Sequence, residues 1–251
     1  MSLAVVITRA NIGIDAPEIR VEVHLSNGIP GFSIVGLPET AVKESKERVR
    51  SALLNSQLEF PAKRITLNLA PADLPKSGGR YDLAIAIGIL AASGQIATEV
   101  LENVEFLGEL GLSGEVRSVT AALPGIIAAH RAGHVVILPK GNGKEAGLLK
   151  SGSSFLAGHL LDVISHLKQV QGLEKVRPVT LDKPNFTEDM KDVVGQAVAR
   201  RALMIAAAGN HNLLFQGPPG TGKTMLASRI CSILPVMEES SALEVAALWS
   251  I

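Results

Sequence analysis

The chain has 251 residues, 24 Lys plus Arg against 24 Asp plus Glu, 47% apolar residues and only 3% aromatic ones. Such a chain is too apolar for intrinsic disorder, and its zero net charge argues against coating nucleic acid by bulk charge. One cysteine, Cys231, excludes an internal disulfide, and the longest apolar run, 83–92, falls short of the ~20 residues of a membrane span. With no charged leader at its start, the chain reads as a cytoplasmic protein with no membrane partner, and its aliphatic cores suit an α/β fold.

Ala4 to Thr8 reads as a strand. Residues 18–25, EIRVEVHL, alternate strictly, so Ile19, Val21, Val23 and Leu25 share one face of a half-buried strand. Asn27-Gly28 then signals a turn, which predicts Gly31 to Val35 as its hairpin partner in a small antiparallel sheet. Thr40 to Leu54 has helical spacing, with Val42, Val49, Leu53 and Leu54 on the apolar face. Lys43, Lys46 and Arg50 line another face, either as a solvated surface or as a strip of DNA or subunit contacts.

Ile65 to Leu69 is a strand, 71–80 (PADLPKSGGR) a loop, and Tyr81 to Ala92 a buried helix. A hairpin is expected from Val104–Leu110 and Glu115–Val119 around Leu112-Ser113-Gly114. A helix from Ala121 to Ala132 stops at Gly133, and a strand from His134 to Leu138 ends at Pro139. Short helices are predicted at 144–150 and 160–170. His130 and His134 are separated by the helix stop and have no carboxylate or cysteine at ligand spacing, so no metal site is assigned to them. Residues 172–187 read as a linker between an N-terminal domain, 1–171, and a second α/β unit, 188–251. That unit is expected to hold a helix at 195–208 and a strand at 212–215.

The most specific motif is Gly217-Pro218-Pro219-Gly220-Thr221-Gly222-Lys223-Thr224, which fits G-x-x-x-x-G-K-S/T between an apolar segment and a helix. Glycines there free the backbone to turn successive N–H groups onto phosphate oxygens. Lys223 is placed to reach the β- and γ-phosphates of ATP, and the Thr224 hydroxyl to ligate Mg²⁺. Cys231, on the helix behind the loop, reads as a small buried hydrophobe.

Asp192-Val193-Val194-Gly195-Gln196 resembles the DxxGQ box of AAA+ ATPases, which implies that Val194, Gly195 and Gln196 lie against the adenine. Residues 209–227 look like the Mg-chelatase branch of those proteins. Segments 36–53, 68–90 and 108–133 resemble the N-terminal domain of the YifB/ComM family, so the resemblance covers essentially the whole chain. It implies a Lon-protease-like (ribosomal S5-like) α/β domain followed by the start of a P-loop AAA+ domain. It also implies a hexameric, ATP-driven ring that remodels single-stranded or branched DNA by helicase-type branch migration during natural transformation.

The Lon likeness raises the question of a serine–lysine protease. Anchored on Pro75-Lys76, the serine position falls at or beside Arg80; anchored on Gly108-Glu109 and 129–133, the lysine position falls on Leu123. Neither side chain can do that chemistry, and Lys76-Ser77 are mere sequence neighbours, so no catalytic residue is assigned. Arg80 is expected instead to touch DNA or a neighbouring subunit. Glu238-Glu239 do not end an apolar strand, and no Walker B carboxylate, sensor or arginine finger is recognised, so this chain is expected to bind ATP without hydrolysing it. A Mg-chelatase ATPase subunit, a non-enzymatic DNA-binding or assembly module and a cryptic serine peptidase stand as alternatives.

Overall fold

A computed structural model describes residues 2–179 and 186–251. The chain divides into two compact units, one of Met1–Val179 with Leu243–Ile251, the other of Thr180–Ala242.

The first unit opens with β1 (Ser2–Arg9), β2 (Glu18–Ser26), β3 (Gly31–Val35), α1 (Thr40–Asn55), β4 (Arg64–Ala70) and α2 (Asp82–Ala92). β5 (Val104–Phe106), β6 (Glu109–Leu110), β7 (Val116–Arg117), α3 (Ala122–Arg131), β8 (Val135–Pro139) and α4 (Gly143–Ala146) follow. β9 (Ser154–Ala157), α5 (Leu160–Leu167) and β10 (Glu174–Lys175) complete the sheet. The chain is thus α/β, with a sheet of eight strands in the order β10-β9-β8-β5-β1-β2-β4-β3 and a separate pair, β6-β7.

The alternation in β2 does what its period dictates. Ile19, Val21, Val23 and Leu25 are buried on one face, and Ile65, Leu67 and Leu69 of β4 continue that apolar surface. α2 lies against it, every residue buried, with Gly88 so close to Val23 that an added Cβ would stand 2.7 Å from Val23 Cγ2. At β8 both faces are covered: Ile137 belongs to the main core, whereas Val136 and Leu138 pack with Ala122, Ile126 and Ala129 of α3.

Several expectations are corrected. β3 is not the hairpin partner of β2; it pairs in parallel with β4 at the sheet's edge, Phe32 opposite Ile65. Residues 104–106 join the large sheet beside β1 and β8, so only β6 and β7 form the predicted hairpin. β10, within 172–187, pairs antiparallel with β9.

The second unit contains α6 (Ala197–Gly209) and α7 (Lys223–Ser228), and α8 (Glu239–Ser250) begins in it. Its core is small, built from Met190, Val193, Leu203 and Leu226 with Ala199, Phe215, Ile230 and Ile233 packed around them. Residues 212–215 form no strand, because no neighbouring strand among the described residues of this unit offers the backbone partners a ladder needs. Leu214 is accordingly 88% exposed. Among the described residues no helix is long and apolar enough to cross a membrane, and no group of His, Cys, Asp and Glu could hold a metal ion.

Candidate nucleotide-binding site

The loop 217–224 runs into α7, whose N-cap is Gly222. Gly220 and Gly222 both sit at φ +81°, a left-handed conformation that a Cβ would strain. The Lys223 ammonium folds back over the loop and donates to Gly217 O at 2.9 Å and Pro218 O at 2.7 Å. Thr221 Oγ1 ties the turn by donating to Pro218 O at 3.0 Å. The loop residues from Gly217 to Thr221 and Thr224 are exposed, so an anion can reach both the backbone and the ammonium.

Gln196 joins this site. It is the N-cap of α6, and its Nε2 donates to Thr221 O at 3.3 Å. The structure therefore brings the 192–196 box and the 217–224 loop together, although 25 residues separate the bonded pair. Val194 is 93% exposed beside them in the sequence, a large apolar side chain with no core to fill. A flat apolar base would cover it, and a polyphosphate would replace the loop carbonyls as partner of Lys223. The residues present fit a Mg²⁺-nucleotide: fixed loop N–H groups, one ammonium and one exposed hydroxyl at Thr224. Cys231 is not a buried hydrophobe as expected; it is exposed, since α7 ends at Ser228 and the following turn, Arg229–Ser232, is a 3₁₀ helix that presents a different face.

In the first unit Arg80 and the segment carrying Leu123 are neighbours: Arg80 Nη2 donates to Ala121 O at 3.2 Å, and Leu123 is buried. Arg80 is only 5% exposed, which corrects its assignment as a DNA or subunit contact in this chain. Its burial beside Gly108, Ala121 and Gly125 lowers the guanidinium's affinity for its proton, partly offset by Tyr81. Lys76 and Ser77 face apart. The Lys76 ammonium is buried and donates to Pro71 O, burial pushing its pKa down, whereas Ser77 is exposed.

His130 and His134 also diverge. The first meets Ser154 Oγ at 3.0 Å; the second meets Glu105 Oε1 at 2.7 Å, in a buried cluster with Arg9, whose Nε donates to Glu105 Oε2 at 2.7 Å. Lys43 and Arg50 are exposed and Lys46 half-buried along α1. The sequence reading missed that Phe32, Phe60, Lys63 and Arg64 lie beside Lys46 and Arg50 around two adjoining clefts. The 60–64 stretch (FPAKR) carries that signal only once β3 is known to lie next to β4.

A family model described as "Subunit ChlI of Mg-chelatase" matches residues 21–142, and one described as "Magnesium chelatase, subunit ChlI" matches residues 189–251. The uncharacterized protein YifB of Salmonella typhimurium is 53% identical over 251 residues, 100% of this chain and 50% of that protein. Competence protein ComM of Haemophilus influenzae is 52% identical over 256 residues, with the same two shares. The uncharacterized protein Mb2921c of Mycobacterium bovis is 43% identical over 241 residues, 95% of this chain and 48% of that protein. The chain thus spans about half the length of the curated relatives it matches. Both blocks of family-model match fall on the two units that carry the sheet and the loop, and the likeness to YifB and ComM runs from end to end: the chain belongs to the YifB/ComM family of Mg-chelatase-like proteins.

Proposed function

We propose that this chain is the nucleotide-binding portion of an ATP-driven, cytoplasmic, ring-forming motor, a hexamer, that remodels single-stranded or branched DNA by helicase-type branch migration. The observation that carries the reading is the 217–224 loop with Lys223 folded over it and Gln196 hydrogen-bonded to it. In this reading the loop N–H groups and Lys223 hold the phosphates, Thr224 takes the Mg²⁺, and Val194, Gly195 and Gln196 border the base. The DNA part is supported by the relative named a competence protein.

Lys223→Ala in the full-length protein tests it. Removing an ammonium that makes charge-assisted hydrogen bonds is expected to weaken ATP–Mg²⁺ binding by about 10- to 150-fold and to abolish ATP-dependent DNA unwinding. Undiminished turnover in that variant overturns the assignment. A second reading, an ATPase subunit of a magnesium chelatase, is favoured by the descriptions of the two matching family models. Insertion of Mg²⁺ into a porphyrin, with no ATP-dependent action on branched DNA, would decide for it.

A further inference from the structure

The edge strand β3, the N-terminal end of β4 and the outer face of α1 enclose a cleft of about 300 Å³. Phe32 and Phe60 stand in its wall with ring centroids 6.5 Å apart and planes inclined by 22°. Arg50 places its guanidinium 5.5 Å from the Phe60 centroid. Lys46 and Lys63 complete the cationic lining, and a second cleft, sharing Gly31 and Phe32 with the first, carries the charge on to Arg64. Among the described residues no Asp or Glu lines either cleft. Glu47, whose carboxylate lies 3.7 Å from Lys46 Nζ, is 71% exposed and stands outside the lining.

The chain has zero net charge and six phenylalanines. Two of the six meet in one cleft beside four cations contributed by two elements. Clustered cations with no carboxylate in the lining select a polyanion, and half-buried ring faces and a guanidinium plane select flat bases free of a duplex. An extended peptide could pair with β3, whose outer edge no other strand covers among the described residues, but it would leave Arg50, Lys63 and Arg64 uncompensated, with Lys46 alone facing a carboxylate, that of the exposed Glu47.

We propose that the paired clefts between β3 and α1 are a docking surface for single-stranded DNA, with Lys46, Arg50, Lys63 and Arg64 on the phosphates and Phe32 and Phe60 against the bases. The site deepens the DNA part of the proposed function and rests on that reading, yet it lies in the unit that does not contain the 217–224 loop. Binding there needs no nucleotide.

The test is fluorescence anisotropy of a labelled oligo-dT titrated with the full chain, without ATP, across a salt series. Four phosphate contacts predict a log–log salt slope of about −2.8. The Arg50→Gln/Lys63→Gln variant, altered only at exposed side chains, is expected to show a slope of about −1.4 and at least tenfold weaker binding. Phe60→Leu keeps an apolar side chain but removes the ring, and is expected to weaken binding roughly tenfold with the slope unchanged. Lys223→Ala is expected to bind oligo-dT as the parent does, so a failed nucleotide site and a failed DNA site give different patterns. Oligo-dT binding unaffected by Arg50→Gln/Lys63→Gln, absence of binding at low salt, or preference of the cleft for an extended peptide over oligo-dT would overturn the proposal.

Discussion

Arg48 is expected to be the most consequential exposed-to-core contact of α1, and its removal can be worked through from the geometry. Its guanidinium makes a two-pronged contact with Asp82 at the start of α2, Nε to Oδ2 at 2.6 Å and Nη2 to Oδ1 at 3.1 Å. Asp82 is fully buried, and it also accepts from Leu110 N at 3.3 Å and from the Ser45 side chain, both uncharged donors. Arg48→Met leaves that carboxylate without its cation. Stranding one member of a buried pair costs about 3–5 kcal/mol, and because the Arg48 side chain is 22% exposed the lower end applies. For a unit of this size a loss of ~3 kcal/mol lowers the Tm by about 6–12 °C. Burial already pushes the Asp82 carboxyl up, with Arg48 as the main opposing influence, so in the variant its pKa rises further. A carboxyl whose folded pKa exceeds its unfolded value gives stability that is full below the unfolded pKa and is lost as pH rises through the folded one. The deficit between variant and parent should therefore be small near pH 4 and largest at neutral pH. Thermal melts followed by circular dichroism at several pH values read this directly, and Arg48→Met/Asp82→Asn, which leaves no buried charge, should recover most of the loss. A deficit below about 1 kcal/mol, or one that does not vary with pH, would refute the reasoning.

Tyr81 is the single tyrosine and is fully buried, and burial pushes its phenol up to about 12. Tyrosinate absorbance at 295 nm should stay absent through pH 10–11 in the folded chain, and the stability that depends on the neutral phenol, present below about pH 10, is lost as pH rises through 12; ionisation near pH 10 with the circular dichroism intact would contradict this. Gly88→Ala gains about 1 kcal/mol of helix propensity but drives a methyl to 2.7 Å from Val23 Cγ2, so overpacking of about 1–3 kcal/mol is expected to lower the Tm, and a raised Tm would count against the α2–β2 packing. Cys231 should react with one equivalent of a thiol reagent in the native chain, as an exposed side chain must, and protection until unfolding would contradict the structure.

Local period told much of the fold. The strict alternation of 18–25 gave β2 and its buried face, and the unbroken apolar run before Ser93 gave a helix buried on all sides. Pairing is a different kind of information. Nothing in GFSIV says whether it lies beside β2 or β4, because an Asn-Gly turn permits a hairpin without requiring one. The same limit explains residues 212–215, apolar enough for a strand yet without strand partners among the described residues of their unit, and residues 104–106, drawn into the large sheet by β1 and β8. At the 217–224 loop the motif was legible since its residues lie within eight positions, and only the reach of Gln196 across to Thr221 needed coordinates. Arg80 was misjudged because a Gly-rich loop suggests exposure, whereas the carbonyl of Ala121, 41 residues on, draws the side chain inward.

The position of β1 in the middle of the sheet has a consequence for how the protein is made. Its partner on one side, β2, follows within a few residues, but the other side waits for Val104–Phe106, with Ile7 opposite Glu105. While the ribosome is still delivering the intervening residues, β1, β2, β4 and β3 can assemble with one flank of β1 bare. That flank is a temporary template for any passing strand, and Leu3 and Val5 remain exposed even after folding ends. The nascent chain is therefore most vulnerable to aggregation between the emergence of its fourth strand and its fifth, which is the interval in which a chaperone would do it the most good.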